Sequence, residues 1–193
     1  VQRLDPDYAP TRLTLAGTLE RIGLPEAALV EYAAVADGPY RFTADIEQGW
    51  LLVQTDRADA ATALAERLVS ETGAREARIL LADIFRGQGR WAEAVGLYEQ
   101  VIAERAEAGE PGDWRYHSLA AECLHDVNDR LAAEAHYLAA LDLAPRQSTL
   151  LNNLGYSWID QGVNLDEGMK MIKRAVEQRP DDGYIVDSLG WAY

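Results

Sequence analysis

The chain of 193 residues is long enough for one domain or one array of repeats, and 48% of its residues are hydrophobic, which is enough to bury a core. Its net charge of −14 argues against a nucleic-acid partner, because phosphate contacts need clustered Lys and Arg. A single cysteine, Cys123, excludes an internal disulfide, and the absence of any apolar run of about 18 residues predicts no transmembrane segment.

Paired helices are predicted along the whole chain, and no strand-like alternation competes with them. Each pair needs a turn residue that tolerates a left-handed backbone, and small side chains where its two helices cross. We expect a single domain over residues 1–193 made of five pairs and a final half unit, with approximate bounds 9–41, 42–74, 75–113, 114–147, 148–182 and 183–193.

Three columns of residues carry this pattern. The small residues of the first helices are Ala16, Gly49, Ala82, Ala121, Gly155 and Gly190. Those of the second helices are Ala28, Ala61, Ala94, Ala133 and Gly168, with a register shifted by one residue onto Ala60 left open in the second pair. The turn residues are Gly23, Asp56, Gly89, Asn128 and Gly162.

The side chains that could carry chemistry cluster in the fourth pair, at His117, Cys123, His125 and His136. His117 and Cys123 lie six residues apart and so point roughly 240° apart around a helix, which excludes a shared metal. No base or oxyanion donor accompanies Cys123. The acidic pairs Asp166-Glu167 and Asp181-Asp182 stand at helix starts, where carboxylates cap and complement the dipole. We therefore expect no enzyme activity, no cofactor and no metal.

The last repeats carry a resemblance to a known family. Leu154-Gly155-Tyr156 recurs 35 residues later as Leu189-Gly190-Trp191, with the turn residue Gly162 and Pro180 between the two triplets. This pattern resembles the tetratricopeptide repeat, a helix–turn–helix unit of about 34 residues. The stretch from Leu150 to Tyr193 is similar to the C-terminal repeats of longer bacterial tetratricopeptide proteins, and loosely to the repeat region of O-linked sugar transferases. The resemblance implies an all-α, right-handed α-solenoid with the first helix of each repeat on the concave surface.

The family's groove positions, carried onto this sequence, imply a partner-binding surface. It includes Asn152, Asn153, Tyr156, Asp160, Asp187, Trp191, Arg115, Glu122 and Arg86, and the neighbouring positions His125, Asp126, Tyr184 and Ser188. The paired asparagines are expected to hold a peptide backbone, and Tyr156 and Trp191 to supply aromatic contact area. Arg115 alone does not form the Lys, Asn and Arg clamp with which repeats of this family grip acidic C-termini.

The leading hypothesis is a non-catalytic scaffold that binds a protein or peptide in this groove. Two alternatives remain open: the substrate-recognition arm of a longer enzyme, such as a glycosyltransferase, and a self-associating module that dimerises through the C-terminal half repeat, where Ile185, Leu189 and Trp191 lack a following helix. The chain begins without Met and stops within a repeat, so we expect it to be a fragment. An exported or periplasmic location, implied by the resemblance, and a cytoplasmic one both stay open.

Overall fold

The structure, a computed structural model, describes residues 8–193. Within this range it contains eleven α-helices and no strand, as the all-α prediction requires. Their bounds are α1 Ala9–Arg21, α2 Pro25–Ala33, α3 Arg41–Gln54, α4 Ala58–Thr72, α5 Arg75–Gly87, α6 Trp91–Glu107, α7 Trp114–Asp126, α8 Arg130–Leu143, α9 Ser148–Asp160, α10 Leu165–Gln178 and α11 Gly183–Trp191. None of the described helices is both long and apolar enough to cross a bilayer.

The tertiary contacts divide the chain into two compact units, one up to Leu97 and one from Tyr98 onward. In the first unit, consecutive helices from α1 to α5 pack against each other, and α3 also contacts α5. In the second unit, consecutive helices from α7 to α11 pack in the same way, and α9 also contacts α11. The single domain over residues 1–193 stays a prediction, and its first seven residues lie outside the described range.

All five predicted turn residues have the left-handed backbone that the sequence pattern indicated. Their φ angles are 77° at Gly23, 59° at Asp56, 74° at Gly89, 60° at Asn128 and 69° at Gly162. Asp56 and Asn128 are the informative cases, because a residue with a Cβ atom is strained in this region and Asp and Asn tolerate it best. The five turns therefore lie where the sequence pattern places them, while the bounds of the pairs stay a prediction.

The small-residue columns lie at the contacts between helices. Gly155 of α9 and Gly168 of α10 are both buried, and a Cβ atom at Gly155 would lie only 2.7 Å from the carbonyl oxygen of Gly168. The two backbones thus approach each other directly. In the second pair Ala61 is buried and Ala60 is exposed, which settles the register that the sequence left open.

Gly190 departs from its column. It is exposed, and a Cβ atom there would meet no described residue within 4 Å. Ile185 of the same helix is 1% exposed and packs with Leu151 of α9 and Ala175 of α10. Ile185 was expected to need a following helix, but its side chain packs instead into the core of the second unit.

Helix starts use short polar caps where the sequence provides them. The carboxylates of Asp113, Asp129 and Asp182 accept hydrogen bonds from the backbone N–H groups of Arg115, Ala132 and Tyr184, at the starts of α7, α8 and α11 respectively. Asp166 and Glu167 lie in the first turn of α10, where their charge complements the helix dipole without a side-chain cap bond. These caps fix where α7, α8 and α11 begin, and so which of their residues face the site.

Candidate functional site

Helix α9 presents two different faces, and the less buried one lines a cleft in the second unit. Thr149, Asn153 and Tyr156 follow each other at spacings of four and three residues and are half-buried. Leu151, Leu154 and Gly155 on the other face are buried. Because residues three and four apart share one face of a helix, packing of the apolar face directs the polar one toward the cleft.

The cleft consists of two cavities with a common wall. The larger has a volume of about 410 Å³ and is lined by Glu122, His125, Asp126, Tyr137, Thr149, Asn153, Tyr156, Ser157 and Tyr184. The smaller has a volume of about 380 Å³ and is lined by Tyr156, Tyr184, Asp187, Ser188 and Trp191. Tyr156 of α9 and Tyr184 of α11 belong to both, and we call the combined site the tyrosine cleft.

Hydrogen bonds hold the Glu122 carboxylate at one side of the larger cavity. The hydroxyl of Ser118 donates to Glu122 Oε1 at 3.2 Å, and the side-chain amide of Asn153 donates to the same oxygen at 3.4 Å. These bonds connect α7 to α9 and orient a carboxylate and an amide beside each other. The carboxylate can accept hydrogen bonds from the backbone or a polar side chain of a ligand, and the amide can donate and accept them.

Two tyrosine hydroxyls near Glu122 stay protonated over a wide pH range. Burial raises the pKa of Tyr137 well above its usual range, and the charge of Glu122 raises it further. Burial also raises the pKa of Tyr184, followed by the charge of Glu122 and the nearby Tyr156. Both hydroxyls are therefore neutral hydrogen-bond donors at physiological pH.

Asn152 does not reach the cleft. Its side chain is 0% exposed, whereas its neighbour Asn153 is half-buried and lines the larger cavity. Asn152 Nδ2 lies 3.5 Å from Asn153 Oδ1, and its own Oδ1 has no hydrogen-bond partner. Its position on α9 turns the amide into the core, so it cannot pair with Asn153 to hold a ligand backbone at the surface.

The other predicted groove residues divide between the cleft and its surroundings. Tyr156, Glu122, Asp187 and Trp191 line the cleft, and Trp191 is 64% exposed. The remaining three do not line it: Asp160 is exposed at the end of α9, Arg115 Nη2 lies 2.6 Å from Asp113 Oδ2 at the start of α7, and Arg86 belongs to the first unit, where it contacts Asp83.

Sequence reasoning missed three lining residues, Tyr137, Thr149 and Ser157. Tyr137 stands in a second helix, α8, which the family's groove positions do not include. Thr149 and Ser157 lie four residues before and after Asn153, so the helical period could have placed them beside it.

Two of the three histidines, His117 and His136, contact each other. His117 Nδ1 of α7 and His136 Nδ1 of α8 are 3.1 Å apart, while His125 lines the tyrosine cleft and Cys123 is buried. Within residues 8–193 no group of three His, Cys, Asp or Glu side chains converges as a metal would need. The lining residues of the cleft supply carboxylate, amide, hydroxyl and aromatic groups.

Comparison with known families and proteins finds similarity to tetratricopeptide-repeat proteins. Residues 77–111 match the family model of the tetratricopeptide repeat. The chain is similar to the TPR repeat-containing protein PA4667 of Pseudomonas aeruginosa, with 28% identity over 174 residues, covering 85% of this chain and 27% of that protein. The chain thus spans about a quarter of its relative's length.

Solved structures share the fold at low sequence identity. YrrB, described as a TPR protein with an unusual peptide-binding site, has a TM-score of 0.72 at 16% identity, covering 95% of this chain and 93% of YrrB. MamA from Desulfovibrio magneticus RS-1 has a TM-score of 0.76 at 16% identity, with 91% and 97% covered. A tetratricopeptide repeat protein from Parabacteroides merdae reaches 0.82 at 13% identity, with 96% and 72% covered.

Proposed function

We propose that the chain is a non-catalytic interaction module of the tetratricopeptide-repeat kind, which binds a peptide segment of a protein partner in the tyrosine cleft. The observation that carries this proposal is the cleft itself. Two adjoining cavities share the wall formed by Tyr156 and Tyr184, and an amide and several carboxylates line them. Exposed aromatic residues at a concave site commonly supply most of the binding energy of an interface.

The resemblance to YrrB supports a peptide ligand, since that structure is described as having a peptide-binding site. A peptide needs backbone partners, which Asn153 and Glu122 provide side by side, and pockets for alternate side chains, which the two cavities provide. The cleft does not depend on Asn152, so the proposed site is smaller than the one expected from the sequence.

Site-specific photo-cross-linking tests the proposal. A benzoylphenylalanine residue replaces Tyr184, which lies in the cleft and is 63% exposed, or Leu131, which is 84% exposed on α8 and does not line the cleft. In cells, the substitution at Tyr184 is expected to give a discrete cross-linked protein band that the Leu131 control lacks. Equal bands from both positions, or none from Tyr184, would contradict binding in the cleft.

A second candidate is that the module serves as the recognition arm of a longer protein. The region matched by this chain makes up 27% of the length of the relative PA4667. In that case the tyrosine cleft would bind the segment that the rest of the protein acts upon. An experiment can distinguish the recognition arm from an independent module. Binding to the cleft and any activity are measured separately, with the flanking regions of the intact protein fused or removed.

Self-association is a third candidate, favoured by exposed side chains of the last helix outside the cleft. Val186 of α11 and Tyr193 just after it are exposed. If these residues mediate dimerisation, Val186→Asp is expected to reduce the sedimentation coefficient at high concentration without changing the cross-links from the cleft. A concentration-independent monomer before substitution would eliminate this candidate.

A further inference from the structure

The tyrosine cleft carries negative charge in both of its cavities. Asp126 lines the larger cavity and Asp187 the smaller one. Among the described residues that line either cavity, none is Lys or Arg. Neither Asp126 nor Asp187 forms an ion pair with any other residue in the range 8–193. A ligand therefore meets a carboxylate in each cavity that no lining Lys or Arg balances.

The wall between the two cavities is aromatic. Tyr156 and Tyr184 contribute to both cavities, and Trp191 extends the aromatic surface of the smaller one. The face of an aromatic ring attracts a cation through its quadrupole, and Trp does so more strongly than Tyr. A carboxylate beside an aromatic face is thus a pair of groups that recognises an ammonium or guanidinium together.

Two other ligand chemistries fit these groups poorly. An acidic peptide would place its charges beside Asp126 and Asp187, and like charges in close contact disfavour binding. A wholly apolar peptide would cover the two carboxylates without pairing them, and burying an unpaired charge costs free energy. A basic peptide avoids both costs, because each cationic side chain replaces the water around a carboxylate with an opposite charge.

We propose that the tyrosine cleft binds a basic segment of the partner protein, with an arginine or lysine side chain beside Asp126 in the larger cavity and another beside Asp187 in the smaller one. The aromatic wall of Tyr156 and Tyr184 packs against the aliphatic parts of these arginine or lysine side chains and faces their charged ends. Arginine has the advantage that its planar group both pairs with a carboxylate and stacks on a ring. This inference rests on the proposed peptide-binding function and names the chemistry of the ligand.

Degenerate heptapeptide pools test it on the full chain. Each pool has a fixed pair of central residues, Arg-Arg, Lys-Lys, Gln-Gln or Glu-Glu, and binding is measured by fluorescence polarisation. Amide chemical shifts of the ¹⁵N-labelled protein then locate the bound pool. The variant Asp126→Asn, Asp187→Asn removes both cleft charges, and the control Glu107→Gln, Glu177→Gln removes two exposed charges outside the cleft, so that both variants change the net charge equally.

The Arg-Arg and Lys-Lys pools are expected to bind most tightly and to shift the amides of Asn153, Tyr156 and Tyr184. The cleft variant should bind them about three- to tenfold more weakly, as the loss of two partly exposed ion pairs predicts, while the control stays within about twofold of the unsubstituted chain. If the Gln-Gln pool binds the cleft as well as the Arg-Arg pool, the preference for cations is wrong but peptide binding stands. If no pool shifts the cleft amides, both the inference and the proposed function fail.

Discussion

The Nδ1 atom of His117 lies 3.1 Å from the Nδ1 atom of His136, and the two rings connect α7 to α8 with their centroids 5.3 Å apart. One nitrogen of such a pair must donate a hydrogen and the other accept it, which requires at least one neutral ring. His136 Nε2 lies 3.6 Å from Glu99 Oε1 and so has a carboxylate nearby when it is protonated. The contact between α7 and α8 through these two rings therefore depends on their protonation.

The free energy of unfolding is expected to fall on acidification because of His117. Burial lowers the pKa of His117 in the folded chain, and the charge of His136 lowers it further, whereas the unfolded value is about 6.5. Between the lowered pKa and about 6.5, the unfolded state binds more protons than the folded state. The contribution of His117 to stability is therefore fully present above this window and is lost as the pH falls through it.

Urea denaturation at about pH 7.5 and about pH 5.5 checks this effect on either side of the ordinary histidine pKa. The unsubstituted chain should lose more stability between these pH values than His117→Gln does. His125→Gln, which removes a histidine outside the pair, should behave like the unsubstituted chain. Identical pH dependence in all three proteins would show that the histidine pair does not control stability.

Gly155→Ala is expected to destabilise the second unit by about 1–3 kcal/mol, because the added methyl group would press on the backbone of Gly168 and force α9 and α10 apart. Gly96→Ala is the matched control, since a Cβ atom at Gly96 meets nothing within 4 Å inside α6. The control should gain about 0.5–1 kcal/mol, as Gly to Ala does within a helix. Chemical denaturation followed by circular dichroism measures both, and a neutral Gly155→Ala would refute the close crossing.

The turn at Asp56 is expected to discriminate among substitutions by backbone conformation alone. Its φ of 59° is costly for a β-branched residue, so Asp56→Val should lose about 1–2 kcal/mol. Asp56→Gly should stay within about 1 kcal/mol of the unsubstituted chain or become more stable, because glycine adopts this conformation readily. Melting curves of the two variants check the prediction, and equal losses in both would indicate that the Asp side chain itself matters.

Tyr184→Ala is expected to weaken binding of the Arg-Arg peptide pool by about 2 kcal/mol, which is about thirtyfold, if Tyr184 is a central contact of the cleft. The fold should be retained, because the side chain of Tyr184 is largely exposed. Leu131→Ala removes an exposed apolar side chain outside the cleft and serves as the control. Fluorescence polarisation measures both affinities, and an unchanged affinity for Tyr184→Ala would remove Tyr184 from the binding surface.

Acidic C-terminal peptides are expected not to bind, because Arg115 is paired with Asp113 and does not line the cleft. Titration calorimetry with a peptide ending in several glutamates checks this expectation. Micromolar affinity would mean that a cationic clamp exists elsewhere in the chain.

The helices and their turns could be predicted from the sequence because both depend on local chemistry. Left-handed turns favour Gly, Asn or Asp, and close helix crossings favour Ala or Gly. The residue types at Asp56, Asn128 and Gly155 therefore indicate two turns and one crossing. Whether a polar residue on α9 faces the cleft or the core depends on how the helix is rotated by its packing, and Asn152 shows that one position along the helix changes the outcome.

Contacts between side chains of different helices were less accessible to sequence reasoning. His117 and His136 are 19 residues apart, and no local pattern relates them. Tyr137 reaches the cleft from α8, the second helix of its pair, although only the first helices were expected to form the concave surface. Such contacts depend on the angle at which two helices cross, and this angle is set by the whole packed unit.

The direct backbone contact between Gly155 and Gly168 has a consequence for how this module can diverge in evolution. The crossing that fixes α9 uses one face of the helix, while Thr149, Asn153 and Tyr156 stand on another. Substitutions on the second face can therefore alter which partner is recognised while leaving the scaffold intact. A glycine pair that resists almost any replacement thus leaves the neighbouring positions free to acquire new specificities.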